Sequence, residues 1–203
     1  NITVIGGYLA NMITRKGIAL VRNLDYSSTN MVWSLFCADN KLDCETIISY
    51  GDIVYSSSVL QKMINSSAEI SVAVDMKWKN YWESRSVNPL DDAESLRMDS
   101  TGRLLEIGQK ALTMDEIEGQ YIGLLKLTIA GWKNIRKTFH KSCTEGHILG
   151  KPPEKAYMTD LLQHMIDNGQ KLIAERIYGE WVEIDTPSDL KLTINKDRLN
   201  AIR

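Results

Sequence analysis

Two aspartates offer this chain's chemistry. Asp52 follows the apolar run at 46–50 and Gly51, and Asp185 follows Trp181-Val182-Glu183-Ile184. Each carboxylate stands where a strand-like stretch gives way to a helical pattern. Open α/β sheets present their ligands at the carboxyl ends of strands. A carboxylate there is also what Mg²⁺ takes, with one or two protein oxygens and the remaining positions left to water and phosphate. Singly, each aspartate also reads as a strand end or an N-cap, Asp52 for the helix begun near Ser56 and Asp185 for one begun at Pro187, with Asp189 strengthening the cap. Together they can serve one metal ion if their strands lie close in the sheet, and that chemistry suits a phosphate-bearing substrate. No Ser/His/Asp or Cys/His set accompanies them. His140, Cys143 and His147 are zinc-ligand types, but they lack a fourth partner and a tight knuckle.

The stretch 77–93 concentrates Trp78, Tyr81, Trp82, Arg85, Asp91 and Asp92, with Glu94 just beyond. It is polar and proline-broken, and reads as a long functional loop after the strand that ends in Asp75. Its aromatics suit either a box for a quaternary ammonium group or ordinary packing. Arg85 suits bidentate pairing with a phosphate. The acids suit an amine, hydroxyls or plain solvent.

These residues need a scaffold, and the pattern supplies one. Strands are expected at 2–5, 18–21, 46–50 and 69–75, alternating with helical periodicity at 9–15, 30–39 and 57–65. The run Glu69-Ile70-Ser71-Val72-Ala73-Val74-Asp75 is nearly continuous in apolar residues, as in strands covered by helices on both faces. A hairpin is expected at 97–107, a strand at 119–128 and a helix from Ala130. A further helix is expected at 157–168, strands at 171–178 and 181–184, and a last helix with Pro187 in its first turn. The fold class is therefore α/β, a mostly parallel central sheet with a small antiparallel elaboration, in one domain over 1–203.

The totals agree. The chain has 203 residues, 43% hydrophobic and 25% charged, with a formal charge of −2. That balance argues against a nucleic-acid-coating surface, and no apolar window approaches the ~20 residues of a membrane span. Three scattered cysteines, Cys37, Cys44 and Cys143, fit reduced thiols in a cytoplasmic protein.

Several ordered segments resemble the nucleotidyltransferases of the sugar-phosphate and phosphocholine cytidylyltransferase type, whose fold is a Rossmann-like α/β sandwich. They are Tyr26-Ser27-Ser28-Thr29-Asn30, Tyr50-Gly51-Asp52, Val74-Asp75, Glu106-Ile107-Gly108-Gln109-Lys110, Gly119-Gln120-Tyr121-Ile122-Gly123 and Trp181-Val182-Glu183-Ile184-Asp185-Thr186-Pro187. The resemblance implies an Mg²⁺-dependent transfer of a nucleotidyl group from a nucleoside triphosphate, CTP first, to a small phosphate or phosphonate, with release of pyrophosphate. It places Asp52 and Asp185 on the magnesium and Lys110 on phosphate. Asn30 and Gly51 go to the nucleotide side, and Asp75, Trp78, Tyr81, Trp82, Arg85, Glu118 and Tyr121 to the acceptor side. Other readings are an inactive regulatory or binding domain of the same fold and a glycosyltransferase using a nucleotide sugar. Fusion to an upstream domain, or a homodimer, is compatible with all of them.

One part of the family pattern is missing. Its Gly-rich basic nucleotide loop lies on the first strand and turn, whereas Asn1 aligns with what would be the second strand, and Gly6-Gly7 is too short a cradle. The expectation is an N-terminally incomplete domain, the C-terminal part of a longer protein.

Overall fold

The protein was analysed as a computed structural model, which describes residues 1–202. In chain order, β1 (Ile2–Gly6) and β2 (Ile18–Arg22) precede α1 (Met31–Phe36), β3 (Thr46–Ser49) and β4 (Ile53–Tyr55). Then come α2 (Ser57–Asn65), β5 (Ile70–Asp75), α3 (Trp78–Arg85), β6 (Glu94–Met98), β7 (Leu104–Lys110) and β8 (Gln120–Leu127). The chain continues with α4 (Ile129–Glu145), α5 (Met158–Asp167), β9 (Ile173–Ile177), β10 (Trp181–Glu183) and α6 (Thr193–Ile202).

The central sheet has four strands in the order β3-β8-β5-β9. β8 runs against both β3 and β5, and β9 runs parallel to β5, so three of the four strands point the same way. Every residue of β5 is buried, as its apolar run requires of a strand covered on both faces. One core forms between the sheet and α4 and α5 around Ile70, Val72, Leu125, Trp132 and Leu161. A second, on the other face, gathers Val59 and Met63 of α2 with Trp78, Tyr81, Trp82 and Trp181. β6 and β7 form the expected antiparallel hairpin. β1 and β2 pair in parallel with each other and with no other strand among the described residues, and β3 ends the central sheet. No helix among the described residues is long and apolar enough to cross a membrane.

Two expectations are corrected, and one strand had no counterpart among them. The stretch 77–93 is not a loop: it carries α3 and a 3₁₀ turn at Pro89–Asp91. Trp78, Tyr81, Trp82 and Arg85 stand at helical spacing and all face inward, although Trp, Tyr and Asn are modest helix formers and the segment is polar on average. The helix expected at Pro187 begins at Thr193, because the chain first makes a 3₁₀ turn at Asp189–Lys191. β4 escaped notice because three residues are too few to show a period.

Gly131 shows how tightly α4 is docked. A Cβ at this position would lie 2.0 Å from the carbonyl oxygen of Glu69, immediately before β5. Backbone cannot yield as a flexible side chain would, so Gly131→Ala is expected to cost about 1–3 kcal/mol. A melting temperature within a degree of the wild type would contradict this docking.

Candidate active site

The two strand-end aspartates are brought together by a short ribbon. β4 and β10 pair antiparallel, with Val54 opposite Val182 and Ile53 opposite Glu183. The ladder runs on past the strands, since the Ile184 N–H donates to the Asp52 carbonyl at 2.9 Å. Antiparallel pairing thereby brings Asp52, across from Ile184, within reach of the Asp185 charge although they lie far apart in sequence. Burial and the negative charge of Asp185 raise the Asp52 carboxyl above its usual pKa, against lowering contributions from a backbone hydrogen bond and Arg85.

Arg85, on the last turn of α3, answers this charge. Its guanidinium is bonded to Glu183, lies 2.7 Å from Asp185 Oδ2 and 3.6 Å from Asp189 Oδ1. It also sits over the ring of Tyr81, 5.3 Å from the centroid. Burial works against the cation, but Glu183 and Asp185 more than offset it and raise the Arg85 pKa. Asp189 in turn fixes the turn that carries Asp185. Its Oδ2 accepts from the Asp185 N–H at 3.1 Å and from the Thr186 N–H at 2.7 Å. The N-cap expected at Asp185, with Asp189 strengthening it, is not formed, since no helix starts at Pro187; what these bonds hold is the conformation of the turn that carries Asp185.

Arg85→Met is expected to destabilise the fold by about 1.5–3 kcal/mol, the worth of charge-assisted bonds lost beside carboxylates that stay. The sign with pH follows. Glu183 already has a raised pKa, from burial working against the Arg85 hydrogen bond. Without the cation its carboxyl gains protons more readily in the folded state. The variant's deficit should therefore grow as pH rises from 5 to 7.5 and these acids ionise. Urea unfolding at the two pH values checks it, and a pH-independent deficit would contradict this account.

Behind the ribbon lies a fully buried carboxylate. Asp75, at the end of β5, is 0% exposed. It accepts from the Lys77 N–H at 2.8 Å, the Gly179 N–H at 2.9 Å and Trp181 Nε1 at 2.8 Å. Arg198 of α6 lies 3.9 Å from it and 4.0 Å from the centroid of the Tyr81 ring. The Tyr81 hydroxyl accepts from the Glu183 N–H at 2.9 Å. Asp75, Tyr81 and Trp78 are thus buried supports that hold β10 and α3 in place.

A cavity of about 270 Å³ opens beside Glu183 and Asp185. Tyr50, Trp82, Tyr121 and Tyr157 line it together with Asp92 and Glu94. Gly123 admits the Tyr50 ring: it has φ +79°, and a Cβ there would lie 2.6 Å from Tyr50 Cδ2. The Trp82 indole donates to Asp92 Oδ2 at 3.0 Å. Of the aromatics singled out in the sequence, Trp82 and Tyr121 reach the cavity wall, while Tyr50 and Tyr157 come from other elements.

The remaining candidates are more scattered. Asn30 stands at the N-cap position of α1, and its side chain instead donates to the Lys155 carbonyl at 2.7 Å. Its neighbour Met31 reaches the cavity. Gly51 is exposed, with open space where a Cβ would be. Lys110 is exposed at the end of β7, directly across from Glu94. Glu118 lies outside the cavity wall and accepts from the Met98 N–H at 2.9 Å. His140 and Cys143 are exposed on α4, with exposed His147 past its end. No group of three or more His, Cys, Asp or Glu placed to hold a metal ion occurs among the described residues.

Sequence reading missed Glu183 and Asp189 as partners of Arg85, and Tyr50, Glu94 and Tyr157 as neighbours in one wall. Alternation along 181–185 offered a weak signal for Glu183, which leaves the strand on the same side as Asp185. Nothing local pointed to the others.

No protein-family model matches the chain. A CTP:phosphoglutamine cytidylyltransferase from Campylobacter jejuni is 39% identical over 206 residues, covering 96% of this chain and 81% of the relative. Among solved structures, an inositol-1-phosphate CTP transferase from T. maritima superposes with a TM-score of 0.70 at 16% identity, over 97% of this chain and 75% of its own. A CTP:phosphocholine cytidylyltransferase from Streptococcus pneumoniae gives 0.68 at 16% identity, over 97% of this chain and 78% of its own. These two likenesses establish the fold.

Proposed function

From the premise that the chain belongs to the cytidylyltransferase family of nucleotidyltransferases, we propose that it transfers CMP from CTP to a small phosphorylated acceptor in an Mg²⁺-dependent reaction. The observation that carries this reading is the approach of Asp52 to Asp185 across the β4–β10 ribbon, with Asp185 on the wall of a cavity large enough for a small molecule. The relative's name makes a phosphoglutamine-like compound the first acceptor to try, and phosphocholine-like, phosphonate and sugar phosphate acceptors follow.

In the step, an oxygen of the acceptor phosphate attacks the α-phosphorus of CTP. A new P–O bond forms as the bond to the β-phosphate oxygen breaks, and the electron pair leaves with pyrophosphate. A phosphate monoester already carries close to two negative charges near neutral pH, so its oxygen needs no general base. Positioning and charge neutralisation remain to be supplied. Asp52 and Asp185 are hard oxygen donors whose charges repel, which is the donor chemistry that Mg²⁺ accepts. Bound there, the ion would neutralise charge on the triphosphate. Arg85 and Asp189 keep the Asp185 carboxylate in place, and exposed Lys110 is available to phosphate.

The triphosphate cradle belongs to the same proposal. Among the described residues, β1 and β3 each have an unpaired edge, and Tyr8, Leu9, Met12 and Leu24 around the β1–β2 pair are exposed. An additional strand bearing a Gly-rich basic turn would find pairing partners at those edges.

The test is a pyrophosphate-release screen that crosses CTP, ATP, GTP and UTP with phosphorylated acceptors, in the protein form that includes any upstream segment. CTP-dependent release supports the reading. Release of nucleoside diphosphate from a nucleotide sugar would replace it with glycosyl transfer.

A further inference from the structure

One helix grips the segment that carries Asp185 at both ends. Arg198 of α6 donates to the Trp181 carbonyl at 3.0 Å, four residues before Asp185. Asn195 lies one turn earlier on the same face of α6, and its side-chain amide donates to the Asp189 carbonyl at 2.8 Å, four residues after Asp185. The Asp189 carboxylate passes the contact inward, accepting from the Asp185 N–H at 3.1 Å, the Thr186 N–H at 2.7 Å and Thr186 Oγ1 at 2.9 Å. Two hydrogen bonds thus join Asn195 to the backbone of Asp185.

Packing does not fix this segment. Of residues 185–191 only Asp189 is buried, so the position of the segment depends on what holds Asp189. Asn195 is 0% exposed, and its Oδ1 has no hydrogen-bond partner among the described residues. A buried, unpaired carbonyl oxygen lowers stability, a loss that an apolar side chain of similar size avoids. The Asp189 carbonyl is also not in want of a donor, since the Leu192 N–H reaches it at 3.3 Å. The Asn195 amide adds a second, shorter bond that ties the 3₁₀ turn at Asp189–Lys191 to a helix. Arg85 holds the other oxygen of the Asp189 carboxylate, 3.6 Å from Oδ1. Stability alone does not call for an asparagine here, whereas a fixed Asp189 does.

We infer that α6 braces the metal site and that Asn195 is a positioning residue, which sets the Asp185 carboxylate through Asp189. This assignment rests on the reading that Asp52 and Asp185 hold Mg²⁺. Partners outside the ligand set orient ligating carboxylates, and their loss weakens metal binding without removing a ligand. The last helix of the chain thereby becomes a determinant of Mg²⁺ affinity.

Calorimetric titration of Mg²⁺ into the nucleotide-free protein tests it. Asn195→Leu is expected to raise the Mg²⁺ dissociation constant about tenfold. Its melting temperature in EDTA should stay close to the wild type, because the unpaired oxygen is removed with the amide. Asn195→Ala, which adds no bulk, should weaken Mg²⁺ equally and decides the matter if the leucine variant does not fold. Gly131→Ala supplies the control. It is destabilised beside Glu69, at the other end of β5 from Asp75, and should bind Mg²⁺ as the wild type does. Unchanged Mg²⁺ affinity in a folded Asn195 variant, or an equal loss in Gly131→Ala, would overturn the inference. So would a wild type that takes up no Mg²⁺. In turnover, excess Mg²⁺ should restore most CTP-dependent pyrophosphate release to Asn195→Leu and not to Asp185→Asn. Weakened Mg²⁺ binding in Asn195→Leu, without release from any nucleotide by the wild type, would leave the brace standing and remove the cytidylyltransferase assignment. Release by the wild type with Mg²⁺ affinity unchanged in the variant would do the reverse.

Discussion

Asp52→Asn and Asp185→Asn are each expected to lower CTP-dependent pyrophosphate release by about 10²–10³-fold or more, the scale of losing one preorganised electrostatic contact in the transition state. The Asp52 variant should at the same time be no less stable than the wild type. The sign follows from the raised pKa of Asp52. A carboxyl that holds its proton more tightly when folded opposes folding once pH passes its unfolded value, and this penalty is complete above the folded pKa. At pH 7 Asp52→Asn removes that penalty, so its melting temperature should equal or exceed the wild type. The difference should close as pH falls and the wild-type carboxyl takes up its proton. Mg²⁺ provides a readout apart from turnover: millimolar Mg²⁺ should raise the melting temperature of the wild type and leave both variants unmoved. A variant with near-normal release, or with an intact Mg²⁺ shift, would remove its aspartate from the metal site.

Asp75→Ala should produce the largest loss of stability. Its carboxylate is bonded to two backbone N–H groups and an indole, with Arg198 close by, and none of it reaches solvent. Removing it strands those donors and leaves Arg198 without its buried counter-charge, a loss of about 3–5 kcal/mol. Because Gly179 and Trp181 lead into β10, the damage reaches Asp185 directly. Urea unfolding measures the first effect. Any folded fraction of the variant should also show a weakened Mg²⁺ shift. A loss under 1 kcal/mol would mean that water takes over the carboxylate's role.

These outcomes follow from residues that differed in how plainly the sequence displayed them. β5 and α2 were legible, because an unbroken apolar run and a helical stripe are local signals. Asp52 and Asp185 were legible as strand-end carboxylates, and the family resemblance joined them. α3 was misread because its inward face is aromatic and its average is polar. Of the β4–β10 ribbon, which makes the two aspartates neighbours, β10 was expected at 181–184, while three-residue β4 carries no period and its pairing left no local signal. Arg85 was noticed as a phosphate binder, yet its three carboxylate partners lie about a hundred residues along the chain.

By itself the sequence determined the class of fold, the family and the residue types able to do its chemistry. Periodicity and strand-end carboxylates are written along the chain, within a few residues of one another. Tertiary structure alone decided which charges answer one another. Arg85 is committed to Glu183, Asp185 and Asp189, Asp75 is sealed under Trp181, and Lys151 is shared between Asp160 and the Tyr157 ring. Those assignments depend on distances of a few ångströms between segments remote in sequence. Burial then magnifies them, because a charge out of water must find its partner within the fold or in a ligand.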